Sequence, residues 1–307
     1  MRVADVGSSG PLLAIALLSS AIGAGSPAIA AAAGETAPVS PGLRAAQIQR
    51  EHDLALVEAI KADDLAALDR AIDAGANVDV RDDGRSTPLM FAASRGYSAL
   101  VTRLIERGAD PNATNDGGAT ALIVASLEGQ SAALLPLLKA GASINVQTRE
   151  GGTALMYAAN YGRADVVEAL IAAGANLSIK ENRGDTAITL AKKAGFTAIA
   201  KTLETARQEL DATFVDAVRR GDKVVVKSAI DRGADINMRD ASRSTPLLFA
   251  AQLGHVDVVE LLIAAGADVD AKADNGTTAL DAARASGHLD VVKVLENAQK
   301  RSRAAGP

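Results

Sequence analysis

The hydrophobic positions of the chain recur in pairs of short amphipathic segments that are separated by glycine. In residues 244–271, STPLLFAAQLGHVDVVELLIAAGADVDA, Thr245 fits the start of a helix and Gly254 fits its left-handed end. A second helix is expected over 256–265, where apolar residues follow helical spacing, and Gly266 ends it. The segment therefore predicts a unit of helix, turn, helix and loop.

The same unit recurs with a period of 33 residues, apart from one shorter step after residue 186. The threonines that start it are Thr87, Thr120, Thr153, Thr186, Thr245 and Thr278. The turn glycines, nine residues further on, are Gly96, Gly129, Gly162, Gly195, Gly254 and Gly287. Neither helix is long enough to be stable alone, and each has one uncovered apolar face. The units are therefore expected to stack as a repeat array.

Four strings carry a resemblance to the ankyrin repeat family: TPLM at 87, TPLL at 245, GHVDVVELL at 254 and GADVDA at 266. The resemblance extends over 53–298 and implies an all-α fold, an ankyrin-repeat solenoid of about eight helix-turn-helix repeats with short β-hairpin fingers. The histidine of the family's TPLH motif is absent, and Met90 and Leu248 are among the residues that stand in its place. The apolar and glycine positions, on which stacking depends, are present.

A second, longer repetition appears when the sequence is shifted by 158 positions. RSTPL at 85 then falls on RSTPL at 243, and Asp53 falls on Asp211, where each aspartate is expected to cap a helix. We expect a linker and leading helix at 34–52, a stack of five repeats at 53–210, a stack of three at 211–298 and a disordered tail at 299–307. The joint between the stacks is expected near Leu210.

The first 33 residues have the pattern of a secretory signal peptide. No charge lies between Asp5 and Glu35, and Ala28 and Ala30 form an A-x-A arrangement after an apolar core. We expect cleavage close to Ala31 or Gly34 and a periplasmic or secreted protein with no membrane contact after cleavage. An uncleaved anchor stays open, because the uncharged run is long enough to span a bilayer. An unstructured cytosolic tail stays open as well.

The charge and the cysteine content of the chain argue against several classes of function. The net charge of −5 argues against a nucleic-acid partner, and the absence of cysteine excludes disulfides, thiolate metal sites and cysteine nucleophiles. No calcium loop, phosphate loop or catalytic grouping is spaced along the chain. We therefore expect no metal, no cofactor and no catalytic residues, although an enzyme stays open because catalytic residues can meet in space without any sequence order.

Binding through a surface is the remaining function. In the proteins that this chain resembles, partners meet the fingers and the exposed ends of the first helices on the concave face. By register, the candidate partner-binding residues are Arg85, Arg95, Leu127, Glu128, Asn160, Tyr161, Arg243, Gln252 and Leu253. We expect a monomeric, non-enzymatic protein-protein interaction scaffold or adaptor that acts outside the cytoplasm on a protein partner of unknown identity. A secreted effector or inhibitor of a host or rival-cell protein is the alternative.

Overall fold

The structure, a computed structural model, describes residues 40–304. The signal peptide expected at 1–33 and residues 34–39 of the expected linker lie outside the described residues. The described residues contain 15 helices and no β-strand. They form two compact units, which we call unit 1 (40–173 with 181–184) and unit 2 (174–180 with 185–304).

Unit 1 consists of four pairs of antiparallel helices. The helices are α1 (Pro41–Lys61), α2 (Leu65–Asp73), α3 (Pro88–Arg95), α4 (Ser98–Glu106), α5 (Ala121–Glu128), α6 (Ser131–Lys139), α7 (Ala154–Asn160) and α8 (Ala164–Ala172). The first helices of successive pairs pack on one another, and so do the second helices. Leucines such as Leu89, Leu104 and Leu122, which are fully buried, fill the space between the two layers.

Unit 2 also has four pairs, but two of them share one long helix. Its helices are α9 (Ala187–Lys193), α10 (Thr197–Arg220), α11 (Lys223–Asp231), α12 (Pro246–Leu253), α13 (Val256–Ala264), α14 (Ala279–Ala285) and α15 (Leu289–Ala304). The first part of α10 packs on α9 as a second helix, and its last part serves as the first helix of the next pair with α11. Residues 197–220 contain neither glycine nor proline, so nothing in the sequence ends the helix between these two roles.

The expected helix starts and turns are confirmed at the repeat positions. The hydroxyl of each of the six threonines accepts a hydrogen bond from the backbone N–H three residues later, as from Met90 to Thr87 at 3.3 Å and from Leu248 to Thr245 at 3.3 Å. The turn glycines have positive φ, such as +79° at Gly129. These caps satisfy backbone groups that a helix end would otherwise leave without partners.

Three local expectations were wrong. Asp53 and Asp211 are not helix caps, because α1 and α10 run through them without a break. Their carboxylates accept hydrogen bonds from the backbone N–H groups of Asn77 (2.7 Å) and Asp235 (3.0 Å) instead. Of the tail that we expected at 299–307 to be disordered, residues 299–304 are helical as part of α15, and residues 305–307 lie outside the described residues.

The compact units divide between residues 173 and 185, and each holds four helix pairs. Leu210, near which we expected the joint between a stack of five repeats and a stack of three, lies inside the continuous helix α10.

The third wrong expectation concerns the fingers, which are turns rather than β-hairpins. The finger that precedes α3 is closed by the bonds from Asp82 N to Ser86 O (3.2 Å) and from Arg85 N to Asp82 O (2.9 Å). One backbone bond, from Asp116 N to Gly84 O (2.9 Å), joins it to the next finger. Arg85, at the end of the turn, has a left-handed backbone with φ +59°, and no strand flanks the turn in the described residues.

Candidate partner-binding surface

The exposed ends of the first helices and the finger turns form a surface in each unit, which we call the first-helix face. In unit 1, Arg95, Glu128 and Tyr161 hold the same repeat position at the ends of α3, α5 and α7, and all three are exposed. Tyr161 is 45% exposed, an unusual degree for an aromatic side chain in a chain with so few of them. The guanidinium of Arg95 lies 5.5 Å from the ring centre of Phe91, one turn earlier in its own helix. The three side chains therefore form a row across neighbouring helices.

The residues one position before this row in each helix are less exposed than we expected. Leu127 and Asn160 are half-buried, although the sequence analysis placed Leu127 at an open position. Ser94, the equivalent residue of α3, is buried, so this position faces the neighbouring helices more than solvent. The backbone carbonyl of Leu127 accepts a hydrogen bond from Arg163 Nε at 3.0 Å. Leu127 and Asn160 therefore lie at the edge of the row and not at its centre.

The finger that precedes α3 adds exposed charges to the first-helix face. Arg81 Nη1 donates to the carbonyl oxygens of Arg85 (3.0 Å) and Thr114 (2.8 Å), so this guanidinium holds the finger in shape. Asp82 accepts from Ser86 N at 2.7 Å, and burial raises the pKa of this carboxyl. Arg85 is exposed and forms no ion pair with the described residues. Arg85 and Asp83, which is also exposed, are therefore charges of this finger that a partner can reach.

Unit 2 places its three candidates on its own first-helix face. Leu253, at the end of α12, is 47% exposed, and Gln252 beside it is also exposed. The carbonyl of Gln252 is bound to His288 Nε2 at 3.0 Å. Arg243 has φ +57° and lies 4.0 Å from Asp274, which is the limit of an ion pair. The side chains of Gln252 and Leu253 are thus available, and that of Arg243 is weakly paired.

The histidines have a structural role that spacing alone did not show. The rings of His255 and His288 lie over the turn glycines of the preceding repeats, Gly221 and Gly254. His255 Nε2 is 2.9 Å from the carbonyl oxygen of Arg219, in the same arrangement as His288 with the preceding turn. Each histidine therefore links consecutive turns through Nε2, one of its two ring nitrogens.

The cavities of unit 2 include one on each side of its helix pairs. The larger, about 520 Å³, lies between the second helices α13 and α15 and touches none of the nine candidate residues. The smaller, about 300 Å³, lies on the first-helix face between α10, the finger at 238–244 and α12. The sequence analysis missed the smaller cavity, because one of its walls is the long helix that we had expected to be broken at Asp211.

Neither metal chemistry nor a membrane span is visible in the part of the chain that the structure describes. Across residues 40–304, no three side chains of His, Asp or Glu come together as a metal site would require. No helix in that range is both long and apolar enough to cross a bilayer.

Comparison with known families agrees with the fold. A family model described as ankyrin repeats in three copies matches residues 56–148 and 214–303, and a second, described as ankyrin repeats in many copies, matches 137–191. These matches cover more than half of the chain, which therefore belongs to the ankyrin repeat family. A search of curated proteins found no match. Ankyrin repeats are generally protein-protein interaction modules and typically non-enzymatic, so the expected site is a binding surface.

Proposed function

We propose that this protein is a non-enzymatic scaffold or adaptor that acts outside the cytoplasm and binds a protein partner through its first-helix faces. The observation that carries the proposal is the row of Arg95, Glu128 and Tyr161, three exposed side chains at one repeat position on successive helices. Tyrosine and arginine are the residue types that most often dominate protein interfaces.

The size of the row favours a protein partner. Packed helices lie about 10 Å apart, so three successive first helices present a surface about 20 Å wide before the fingers are counted. A stable interface buries about 800 Å² on each partner, which needs an extended surface of this kind. The row combines a cation, an anion and an aromatic ring, so it offers both specificity and an apolar contact.

Mutations on opposite sides of the repeats test the binding surface. The full chain and its variants would be immobilised and used to capture partners from periplasmic extract. We expect Tyr161→Ala and Arg85→Glu each to weaken capture about tenfold, which corresponds to about 1.4 kcal/mol. Glu168→Lys, on the exposed side of the second helix α8, is the matched control and should leave capture unchanged.

Circular dichroism and melting temperature should be the same for all three variants, because none of these side chains is buried. Equal losses of capture in the three variants would mean that the first-helix face of unit 1 is not the binding surface.

The proposed location rests on the pattern of residues 1–33 and has its own test. N-terminal sequencing of exported protein should find a chain that begins close to Ala31 or Gly34. Recovery of the protein with Met1 in the membrane fraction would contradict cleavage. Release into the culture medium, with capture of a host or rival-cell protein, would favour the secreted effector over the periplasmic adaptor.

A further inference from the structure

The smaller cavity of unit 2 has an apolar floor and a cation at its rim. One face of α10 supplies Ala212, Val215 and Arg219 to the lining, at the spacing of successive helical turns. The finger supplies Met238, and α12 supplies Phe249, whose ring is half-buried. We call this cavity the Phe249 pocket. Its volume of about 300 Å³ is at the lower limit for ligand pockets, which suits one side chain better than a cofactor.

Arg219 is the cation that lines the Phe249 pocket. The Arg219 guanidinium lies 4.5 Å from the Phe249 ring centre and forms no ion pair with any described residue. The two carboxylates that line the pocket are already engaged. Asp216 pairs with Arg220 at 2.9 Å, and Asp240 accepts two backbone N–H groups at 2.8 and 2.9 Å. An incoming carboxylate would therefore meet a free cation that is held in place by an aromatic ring.

The residues at the equivalent positions of unit 1, 158 residues earlier, differ from those of the Phe249 pocket. Leu54 stands where unit 2 has Ala212, and Phe91, the counterpart of Phe249, is only 3% exposed. Lys61, the counterpart of Arg219, is neutralised by Glu58 at 2.7 Å. The same backbone arrangement thus has its aromatic ring covered in one unit and accessible in the other.

We propose that the Phe249 pocket receives a large apolar side chain from an acidic segment of the protein partner. This inference rests on the proposed function. The apolar side chain lies against Phe249 and Met238, and Arg219 pairs with a carboxylate beside it. Interfaces are commonly anchored by one apolar side chain in such a pocket, with a charged contact at its edge. The unneutralised guanidinium selects an acidic segment over a basic one.

Three labelled nonapeptides test the pocket on the full chain by fluorescence anisotropy. The first has a central phenylalanine with two glutamates on each side, the second has alanine at the centre, and the third has lysines in place of the glutamates. We expect the first peptide to bind at least about tenfold more tightly than either of the others, since both the ring and the charge contribute. Equal binding of all three peptides, or tighter binding of the lysine peptide, would overturn the proposal.

Variants of the pocket residues test whether the first peptide binds in the Phe249 pocket. Ala212→Leu places the residue of unit 1 in the pocket and should reduce affinity for the first peptide about tenfold, as should Arg219→Gln. Lys61→Gln in unit 1 is the matched control and should change the affinity less than about twofold. Loss of binding in Lys61→Gln, or none in Ala212→Leu, would contradict the assignment. So would a dimer of the chain, seen by sedimentation, that Ala212→Leu abolishes.

Partner capture separates this inference from the proposed function. If Ala212→Leu captures the partner as well as the unaltered chain does while Tyr161→Ala does not, the pocket is not used and the first-helix face still stands. If neither variant affects capture, both proposals fail. If Ala212→Leu reduces capture and its melting temperature is unchanged, the pocket is part of the interface.

Discussion

The two units build the same finger from almost the same bonds. In unit 1, Arg81 donates to the carbonyl of Arg85 and to a carbonyl 33 residues along the chain; in unit 2, Arg239 does the same with Arg243 and Lys272. Asp53 and Asp211 likewise accept corresponding backbone N–H groups. These bonds end on the main chain, so they survive changes in most neighbouring side chains.

The side chains that line this shared framework differ between the units. Leu54 of unit 1 stands where unit 2 has Ala212, and the ring of Phe91 is buried whereas that of Phe249 is half-buried. The finger and its turns are thus held by backbone bonding in both units, while the side chains of the adjoining surface leave one aromatic ring buried and the other accessible. Recognition can therefore change between repeats at little cost to the fold.

The largest loss of stability is expected when a large side chain is removed from a core position that is equivalent in the two units. Phe214 in α10 and Leu56 in α1 are equivalent, and both side chains are fully buried. Phe214→Ala should reduce the free energy of unfolding by about 3–5 kcal/mol, because it removes a large buried side chain and leaves a cavity. Leu56→Ala should cost about 2–5 kcal/mol.

Denaturant unfolding with hydrogen exchange would measure both variants. We expect amides of unit 2 to lose protection first in Phe214→Ala, and amides of unit 1 to lose it first in Leu56→Ala, because a repeat depends mainly on its neighbours. Identical exchange patterns in the two variants would mean that the units are not separately stabilised.

A smaller difference is expected at the matched turn glycines Gly96 and Gly254. Both have left-handed φ, so alanine should cost about 1–2 kcal/mol at either position. An added Cβ at 254 would lie 2.6 Å from Nδ1 of His288, whose ring is fixed by its bond to Gln252 O. At 96 the obstacle is the flexible side chain of Gln130.

Gly254→Ala should therefore cost about 0.5–1.5 kcal/mol more than Gly96→Ala, the value of one lost hydrogen bond. Thermal unfolding of the two variants would check this difference. A greater loss for Gly96→Ala would show that the histidine link does not strengthen the turn.

The smallest effect is a pH dependence of the stability, which should arise from Asp69 in unit 1 and be absent at the equivalent position of unit 2. Partial desolvation pushes the pKa of Asp69 upward, but hydrogen bonds from Arg103 and Arg107 outweigh it, and the pKa lies below its ordinary value. A carboxyl with a lowered folded pKa contributes stability above about pH 4 and loses it as the pH falls through the folded pKa. The equivalent residue of unit 2 is Lys227.

Asp69→Asn should accordingly be less stable than the unaltered chain at pH 6, and the difference should shrink as the pH is lowered to 3. Melting temperatures over this range would measure it. The control, Asp231→Asn, removes an exposed partner of Lys227 and should show little change at either pH. A difference for Asp69→Asn that stays constant with pH would exclude the ionised carboxylate as its cause.

Much of the fold follows from local sequence signals. A threonine followed by an apolar run and a glycine specifies each helix and turn through bonds that lie within the same ten residues. The 33-residue period was therefore enough to predict where these helices start and turn. The length of α10 was harder to predict, because a helix that lacks breakers ends or continues according to what packs against it. The fingers were expected as hairpins because of the family resemblance, and the sequence did not show that only the turn bonds form, without strands on either side.

The candidate surface was predictable only in part. Repeat register placed Arg95, Glu128 and Tyr161 at exposed helix ends, but it could not show that Leu127 is half-buried, since burial depends on the neighbouring helix. The Phe249 pocket was missed because three elements separated in sequence form it. Only a comparison of Ala212 with Leu54 in the other unit would have suggested an opening there.

Hydrogen exchange of the chain, with and without its captured partner, tests the central claim most directly. If the protein binds through its first-helix faces, bound partner should slow exchange in peptides that contain Arg85, Tyr161 or Leu253, while peptides from the second helices α4, α6 and α8 should exchange as in the free chain. Slowed exchange confined to the second helices, with no change at the first-helix ends and fingers, would contradict the account.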